Sequence, residues 1–306
     1  MKEIKNLAAS VRARLLAVAK AGGEDFNRTL VRYGIERFLV RLAAHADRNR
    51  FILKGAMLFM TWPEGMHRPT GDLDLLAYGP SEPAIMRNVI AEICGTAVPD
   101  DGLVFDATTI AVEAVREEDK YQGVRITMVA LLGTAKIPLQ IDVGFGDAVH
   151  PEPKKIVFPT LLDGMNKAEV LAYPPETVVA EKFEAMVRFG PADGRLKDFN
   201  DIWAISKTFD FDMAVLAQAL IGTFQRRETV LPRTIPFALT DDFAALEDKR
   251  QMWAAFLKRN PPAIAPPPFE ELLAELRAFL GSVLAAAALP ENAKGQWRRG
   301  IGWSDE

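Results

Sequence analysis

The spacing of apolar residues changes twice along the chain. Over the first fifty residues the period is helical. Ile4, Leu7, Val11, Leu15 and Val18 form one stripe, ended by Ala21-Gly22-Gly23. Phe26, Leu30, Val31, Ile35, Phe38, Leu39 and Leu42 form a second, with Asp25 placed to cap its start. The period then shortens. Phe51-Ile52-Leu53 predicts a buried strand running into Lys54-Gly55, and Ala56 to Thr61 a short helix. Asp72 to Leu76 alternates as a strand does, and Ser81 to Cys94 reads as a helix capped by Ser81. Three more strands follow, at Val104 to Val115, Gly123 to Leu132 and Lys136 to Val143. The last is the cleanest, since Ile137, Leu139, Ile141 and Val143 alternate with Pro138, Gln140 and Asp142. From Pro174 the helical period returns, over Pro175 to Arg188, Asp198 to Lys207, Met213 to Phe224, Asp241 to Arg259 and Phe269 to Ala288. Gly190 to Gly194 reads as a loop, and a Pro-rich break from Asn260 to Pro268 separates the last two helices.

The pattern predicts an α+β fold. A helical arm over 1–50 precedes a mixed-sheet core with flanking helices over 51–172, and an α-helical domain fills 173–306. Of the 306 residues, 49% are hydrophobic and 25% charged, which is enough apolar surface to exclude disorder as the main state. No run approaches the roughly 18 to 20 apolar residues of a membrane span. The charged start Met1-Lys2-Glu3-Ile4-Lys5 is not a signal h-region, so the expectation is a cytoplasmic protein. The single cysteine, Cys94, excludes an internal disulfide and fits a reducing compartment. His45, His67 and His150 lie too far apart for the usual Cys/His zinc patterns.

The formal net charge of -4 argues against a nucleic-acid partner, but the charge is segregated. Residues 1–50 carry 11 Lys+Arg and 5 Asp+Glu, a net +6; the other 256 carry 26 and 36, a net -10. Arg14, Arg28, Arg32, Arg37, Arg41 and Arg48 fall largely outside the apolar stripes. Such an arm is either a solvated helical face or a local surface for a polyanion, joined by Arg226, Arg227, Arg298 and Arg299.

The chemistry concentrates in Arg68-Pro69-Thr70-Gly71-Asp72-Leu73-Asp74-Leu75-Leu76. Strand residues two apart share a face, so Asp72 and Asp74 project together while Leu73 and Leu75 enter the core. Paired carboxylates repel unless a cation lies between them, and an oxygen-rich site suits Mg²⁺ or Mn²⁺. Asp142 sits in an apolar strand just before Gly144-Phe145-Gly146-Asp147. It completes a carboxylate triad if its strand neighbours that of Asp72; otherwise it is a strand-end Asp bonding local backbone. Further on, Lys182 lies on a helix whose apolar side is Val178, Val179, Phe183, Met186 and Val187. Asp198 and Asp201 share a helix face, and Asp198 is placed to cap that helix. This set is either a phosphate-reaching lysine with an orienting carboxylate or a surface ion-pair network. A P-loop kinase is excluded by the missing Gly-x-x-x-x-Gly-Lys-Ser/Thr, and Gly144-Phe145-Gly146 is too short for a dinucleotide fingerprint.

In order and spacing these motifs resemble the AbiEii/AbiGii family of nucleotidyltransferase toxins. The resemblance spans nearly the whole chain, from Ala8-Ala9-Ser10-Val11-Arg12-Ala13-Arg14-Leu15-Leu16 and Arg32-Tyr33-Gly34-Ile35-Glu36-Arg37-Phe38-Leu39 through Phe51-Ile52-Leu53-Lys54-Gly55-Ala56 and Arg68-Pro69-Thr70-Gly71-Asp72-Leu73-Asp74. It continues through Gln140-Ile141-Asp142-Val143-Gly144-Phe145-Gly146-Asp147, Ala180-Glu181-Lys182-Phe183-Glu184 and Lys197-Asp198-Phe199-Asn200-Asp201. It implies a polymerase-β-like nucleotidyltransferase core, an NTP substrate and an acceptor such as a tRNA 3′ end. It also implies a role in type IV toxin–antitoxin or abortive-infection systems and a winged-helix antitoxin encoded nearby. By motif, Asp72 and Asp74 match the metal-binding pair, and Lys182 and Asp198 the later catalytic lysine and aspartate. The expected mechanism is Mg-dependent with two metals, held by Asp72, Asp74 and Asp142. Lys54, Arg68 and Lys182 are candidates to balance triphosphate charge, and Thr70 to donate to a phosphate or the acceptor. Two departures stand out. Gly55-Ala56 replaces the usual Gly-Ser, which leaves only backbone N–H groups near Gly55 for phosphate. Sixteen residues separate Gly55 from Asp72, so Pro63 to Thr70 reads as an insertion. The alternatives are a catalytically silent nucleotide-binding regulator and a non-enzymatic interaction module.

Overall fold

The computed structural model describes residues 6–62, 70–117, 121–192, 194–259 and 264–304. Ile4, Arg68 and most of the Pro63 to Thr70 loop lie outside them. The chain forms two compact units. The first is Met1–Thr61, Pro69–Gly146 and Lys154–Ala172; the second is Trp62–Arg68, Asp147–Pro153 and Tyr173–Glu306.

The first unit opens with α1 (Leu7–Gly22) and α2 (Phe26–Ala44). Gly23 ends α1 in the left-handed region, and the Asp25 carboxylate accepts from the Arg28 N–H to cap α2. Then come β1 (Phe51–Lys54), the one-turn α3 (Gly55–Leu58), β2 (Asp72–Ala77), α4 (Pro83–Cys94), β3 (Leu103–Glu117), β4 (Tyr121–Leu132), β5 (Ala135–Phe145), β6 (Lys154–Phe158) and β7 (Ala168–Ala172). The seven strands make one mixed sheet in the order β3-β4-β5-β2-β1-β7-β6. The β2–β5 and β1–β7 pairs are parallel and the others antiparallel. The α+β expectation therefore holds. The alternating pattern missed β6 and β7, because each has only five residues, too few for a period of two to stand out.

Helix α2 differs from the expected amphipathic element. Every residue from Tyr33 to Leu42 is buried, because α2 packs on β5 and β7 and is covered by α1 and α4. Gly34 permits the close approach: a Cβ there would lie 2.8 Å from a Leu139 methyl. Two of the arginines expected on the outer face are consequently interior. Arg41 gives two N–H donors to Asp101 (2.8 and 3.2 Å) and one to the Leu103 carbonyl (3.1 Å). Arg37 pairs with Glu36 and donates to the Asn166 carbonyl at 2.9 Å. Burying a charge demands such partners, since a lone one would cost several kcal/mol.

Helix α4 begins at Pro83 with Glu82, not Ser81, at its cap position. Proline fixes φ for the first turn and holds the residue before it extended, so the helix cannot start earlier.

The second unit contains α5 (Pro175–Phe189), α6 (Leu196–Thr208), β8 (Phe211–Asp212), α7 (Met213–Arg226), α8 (Asp241–Ala245), α9 (Glu247–Arg259), α10 (Phe269–Ala288), β9 (Gln296–Arg298) and β10 (Gly302–Ser304). The stretch expected as one helix from Asp241 to Arg259 breaks at Leu246, which is extended. The small sheet β10-β9-β8 escaped the sequence reading. It exists because Trp303 stacks on Phe279 of α10 and Trp297 packs tilted against the same ring, and because the Trp297 indole donates to the Ser206 carbonyl at 2.7 Å. Two- and three-residue strands carry no readable alternation, so that contact is tertiary in origin.

Candidate active site

The sheet's alternation sorts its two faces. Leu73, Leu75, Ile141 and Val143 are buried, while Asp72, Asp74, Gln140 and Asp142 are half-buried on the opposite face. Because β2 and β5 run parallel in register, Asp74 lies beside Asp142 and Asp72 beside Gln140. One ligand oxygen from each of Asp72, Asp74 and Asp142 lies within 4.8 Å of the others. The condition on Asp142, that its strand adjoin that of Asp72, is met. The donors are three hard carboxylate oxygens, and among the described residues no histidine or cysteine joins them, so the set fits a hard divalent cation.

The neighbours of the three carboxylates differ. Asp72 accepts from the Thr70 hydroxyl, as the shared face predicts. Asp74 lies against Gly55: a Cβ on that glycine would fall 1.9 Å from Asp74 Oδ2, and Gly55 has φ +69°. The strand-to-helix turn therefore tolerates no side chain at 55. Lys54 is opposite Asp74 in the β1–β2 register. Asp142 is gripped by Arg125 of β4, whose Nε and Nη2 donate to its two oxygens at 2.8 Å each. The Gln140 amide adds a third donor at 3.1 Å. Arg125's own hydrogen bonding to Asp142, and then the charge of Asp142, raise the Arg125 pKa above its ordinary value. Arg125 escaped the sequence reading. Its only signal is a polar position in the alternation of β4, and its meaning depends on the register that sets it opposite Asp142.

The lysine cluster belongs to the second unit. Lys182 of α5 donates to Asp198 at 2.5 Å and to Asp201 at 2.8 Å, both on α6. Arg195 donates to the other Asp198 oxygen at 2.7 Å. Asp198 is fully buried. Burial pushes its carboxyl up, but Lys182 and then Arg195 outweigh burial and hold it below the usual range. Asp198 does not cap α6 as expected; the helix starts at Leu196, and the carboxylate is committed to the two cations. Nearby in the same unit, Arg227 joins Asp147, Glu181 and Glu184 in a second buried charge network. It is thereby an interior residue and not a surface cation.

Two solved structures from Helicobacter pylori are similar. JHP933 is 15% identical with a TM-score of 0.47, over 84% of this chain and 92% of that one. The other, described as a candidate nucleotidyltransferase, is 14% identical with a TM-score of 0.45, over 83% and 94%. No curated protein matches in sequence. Residues 37–275 match the profile of the family described as "Nucleotidyl transferase AbiEii toxin, Type IV TA system". That span covers most of the chain and takes in the triad and the lysine cluster, so the protein belongs to the AbiEii family of nucleotidyltransferase toxins.

Proposed function

We propose that the protein moves a nucleotide from an NTP to an acceptor hydroxyl on RNA, such as a tRNA 3′ end. The observation that carries this reading is the convergence of Asp72, Asp74 and Asp142 on one sheet face, within a chain of this family. A divalent cation held there, Mg²⁺ or Mn²⁺, singly or as a pair, would screen the triphosphate and lower the pKa of the acceptor hydroxyl. The acceptor hydroxyl gives its proton to solvent as its oxygen bonds to the α-phosphorus, the bond from that phosphorus to the β-phosphate oxygen breaks, and pyrophosphate leaves. Thr70 holds Asp72 in position through its hydroxyl. Gly55 keeps the turn clear so that Asp74 can lie against the backbone. Lys54, in register beside Asp74, balances negative charge on that face, and Arg68 is assigned the same task. Lys182 and Asp198 carry over from the family motif as the later lysine and carboxylate. Asp198 keeps the Lys182 ammonium in a fixed place. A winged-helix antitoxin encoded beside the gene is the partner this reading implies.

The test is labelling. Purified protein, Mg²⁺ and total RNA are incubated with each radiolabelled NTP in turn. Label in RNA with at least one NTP is expected. No label in RNA with any of the four overturns RNA as acceptor, and label in protein instead redirects the acceptor. Asp72→Ala is expected to lower labelling by at least a hundredfold with an unchanged melting temperature. Full activity in that variant would remove Asp72 from the site.

A further inference from the structure

We propose that Arg125 is a built-in counter-ion of the carboxylate triad, which yields Asp142 when a triphosphate arrives, so that cation and nucleotide load together. The inference rests on the reading of Asp72, Asp74 and Asp142 as a cation site. It starts from a row of charges. In register across five adjacent strands stand Lys54 of β1, Asp74 of β2, Asp142 of β5, Arg125 of β4 and Glu113 of β3. Directly opposed strand residues are close enough to interact, so each charge feels its neighbour. Within this row Asp74 and Asp142 lie together, Lys54 and Arg125 close the two ends of that pair, and Glu113 stands beyond Arg125.

The two ends are not equivalent. Arg125 presents two parallel N–H donors to both oxygens of Asp142. With Gln140 on the same carboxylate, three donors occupy it. A carboxylate held in this way is neutralised locally and has fewer lone pairs to offer a metal ion. Asp72 is held by a neutral hydroxyl and keeps its full charge toward the site.

Stability does not explain the pair. The Arg125 side chain is 44% exposed and that of Asp142 26%. A pair so open to water contributes about 0–1 kcal/mol to folding. The same exposure makes release of Arg125 inexpensive and leaves its long side chain room to turn. A planar guanidinium matches phosphate oxygens as well as carboxylate oxygens. A polyphosphate bound at this face offers Arg125 a more highly charged partner than Asp142. Transfer of Arg125 to the phosphates frees Asp142 Oδ1 and leaves Oδ2 with the neutral Gln140 amide, and nucleotide binding thereby completes the triad. By reciprocity, each ligand then strengthens the other.

Mn²⁺ binding tests this without any turnover. Free Mn²⁺ is followed by electron paramagnetic resonance in the wild type, Arg125→Leu and Arg125→Lys. Each titration is run with and without α,β-methylene analogues of the four NTPs. Arg125→Leu is expected to tighten Mn²⁺ binding alone by about tenfold and to weaken binding of the analogue by about tenfold. The mutual enhancement of the two ligands should shrink with it. Arg125→Lys should fall between, since an ammonium makes no bidentate contact. Circular dichroism and the melting temperature check that both variants are folded. Unchanged or weaker Mn²⁺ binding in Arg125→Leu overturns the proposal, for the arginine then merely orients Asp142. Tighter Mn²⁺ binding with unchanged analogue affinity overturns it too, because the phosphates are then not the second partner. Absence of Mn²⁺ binding in the wild type and all variants, with or without analogue, overturns both the proposal and the cation-site reading.

Discussion

Gly55 shows how one residue can serve two constraints. Its φ of +69° lies where a side chain is strained, and the Asp74 carboxylate fills the space a Cβ would take. Either constraint alone would favour glycine; together they tie the backbone turn to the position of a triad carboxylate. Gly55→Ala is expected to destabilise the protein by about 2–3 kcal/mol and to weaken Mn²⁺ binding, because Asp74 must move aside. Urea denaturation and Mn²⁺ titration measure the two effects, and wild-type values in both would refute the coupling. The sequence displayed this glycine only as half of a Gly-Ser signature whose serine is Ala56. Its contact with Asp74 could not be read there, because the two residues are nineteen positions apart and meet through strand pairing. Arg125 was still less visible. An arginine on the polar side of a strand is commonplace, and only register gives it a partner.

Between elements, the tie from Lys182 to Asp198 and Asp201 joins α5 to α6. Spacing on a helix face predicted that the two aspartates would lie together, and they do. It also suggested a cap for Asp198, which the actual helix start at Leu196 rules out. The native Asp198 carboxyl titrates below its unfolded value because its two cations outweigh burial. Its contribution to stability is therefore complete above about pH 4 and disappears as pH falls through the lower native value. Asp198→Asn should cost about 3 kcal/mol at pH 7, since it leaves a largely buried lysine with one partner fewer. Urea unfolding of both proteins at several pH values gives the check: the gap between them should narrow below pH 4. A gap constant from pH 3 to pH 7 would show that this ion pair does not stabilise the native state. In the second unit the periodicity gives α5, α6, α7 and α10 but neither the break at Leu246 nor the two- and three-residue strands.

For the molecule as a whole, the charge segregation looks different once burial is known. The first fifty residues carry a net +6, but Arg37 and Arg41 spend their charge inside the first unit. Arg14 donates to the Asp163 carbonyl and Arg32 pairs with Glu24 at 2.7 Å, while Arg28 and Arg48 are exposed. The surface available to a polyanion is thus smaller than the composition suggests. Arg41→Glu is not a useful probe of RNA binding, because it places two like charges together in the core. Arg28→Glu combined with Arg48→Glu is the better one. If these residues hold the acceptor, the pair should lower RNA labelling several-fold at 50 mM salt and flatten its salt dependence by up to two units of slope. Unchanged labelling and slope would return them to a solvated helix face. Among the described residues no helix is long and apolar enough to cross a membrane. Cys94 is buried, and burial pushes its thiol up to about 12, which leaves it a packing residue.

By itself the sequence determined the elements whose information is local. The long helices, the alternation of β5 and the shared face of Asp72 and Asp74 follow from fixed periods of 3.6 and 2 residues. So did the family, because several motifs recur in a set order, and each is contiguous in the chain. Tertiary structure decided everything that depends on which strand lies next to which. The parallel β2–β5 register brings Asp142 to Asp74, and the antiparallel β4–β5 register brings Arg125 to Asp142. The packing of α2 against the sheet turns surface arginines into buried ones. A sequence period fixes the direction of a side chain from its own backbone; only the fold fixes what stands in that direction.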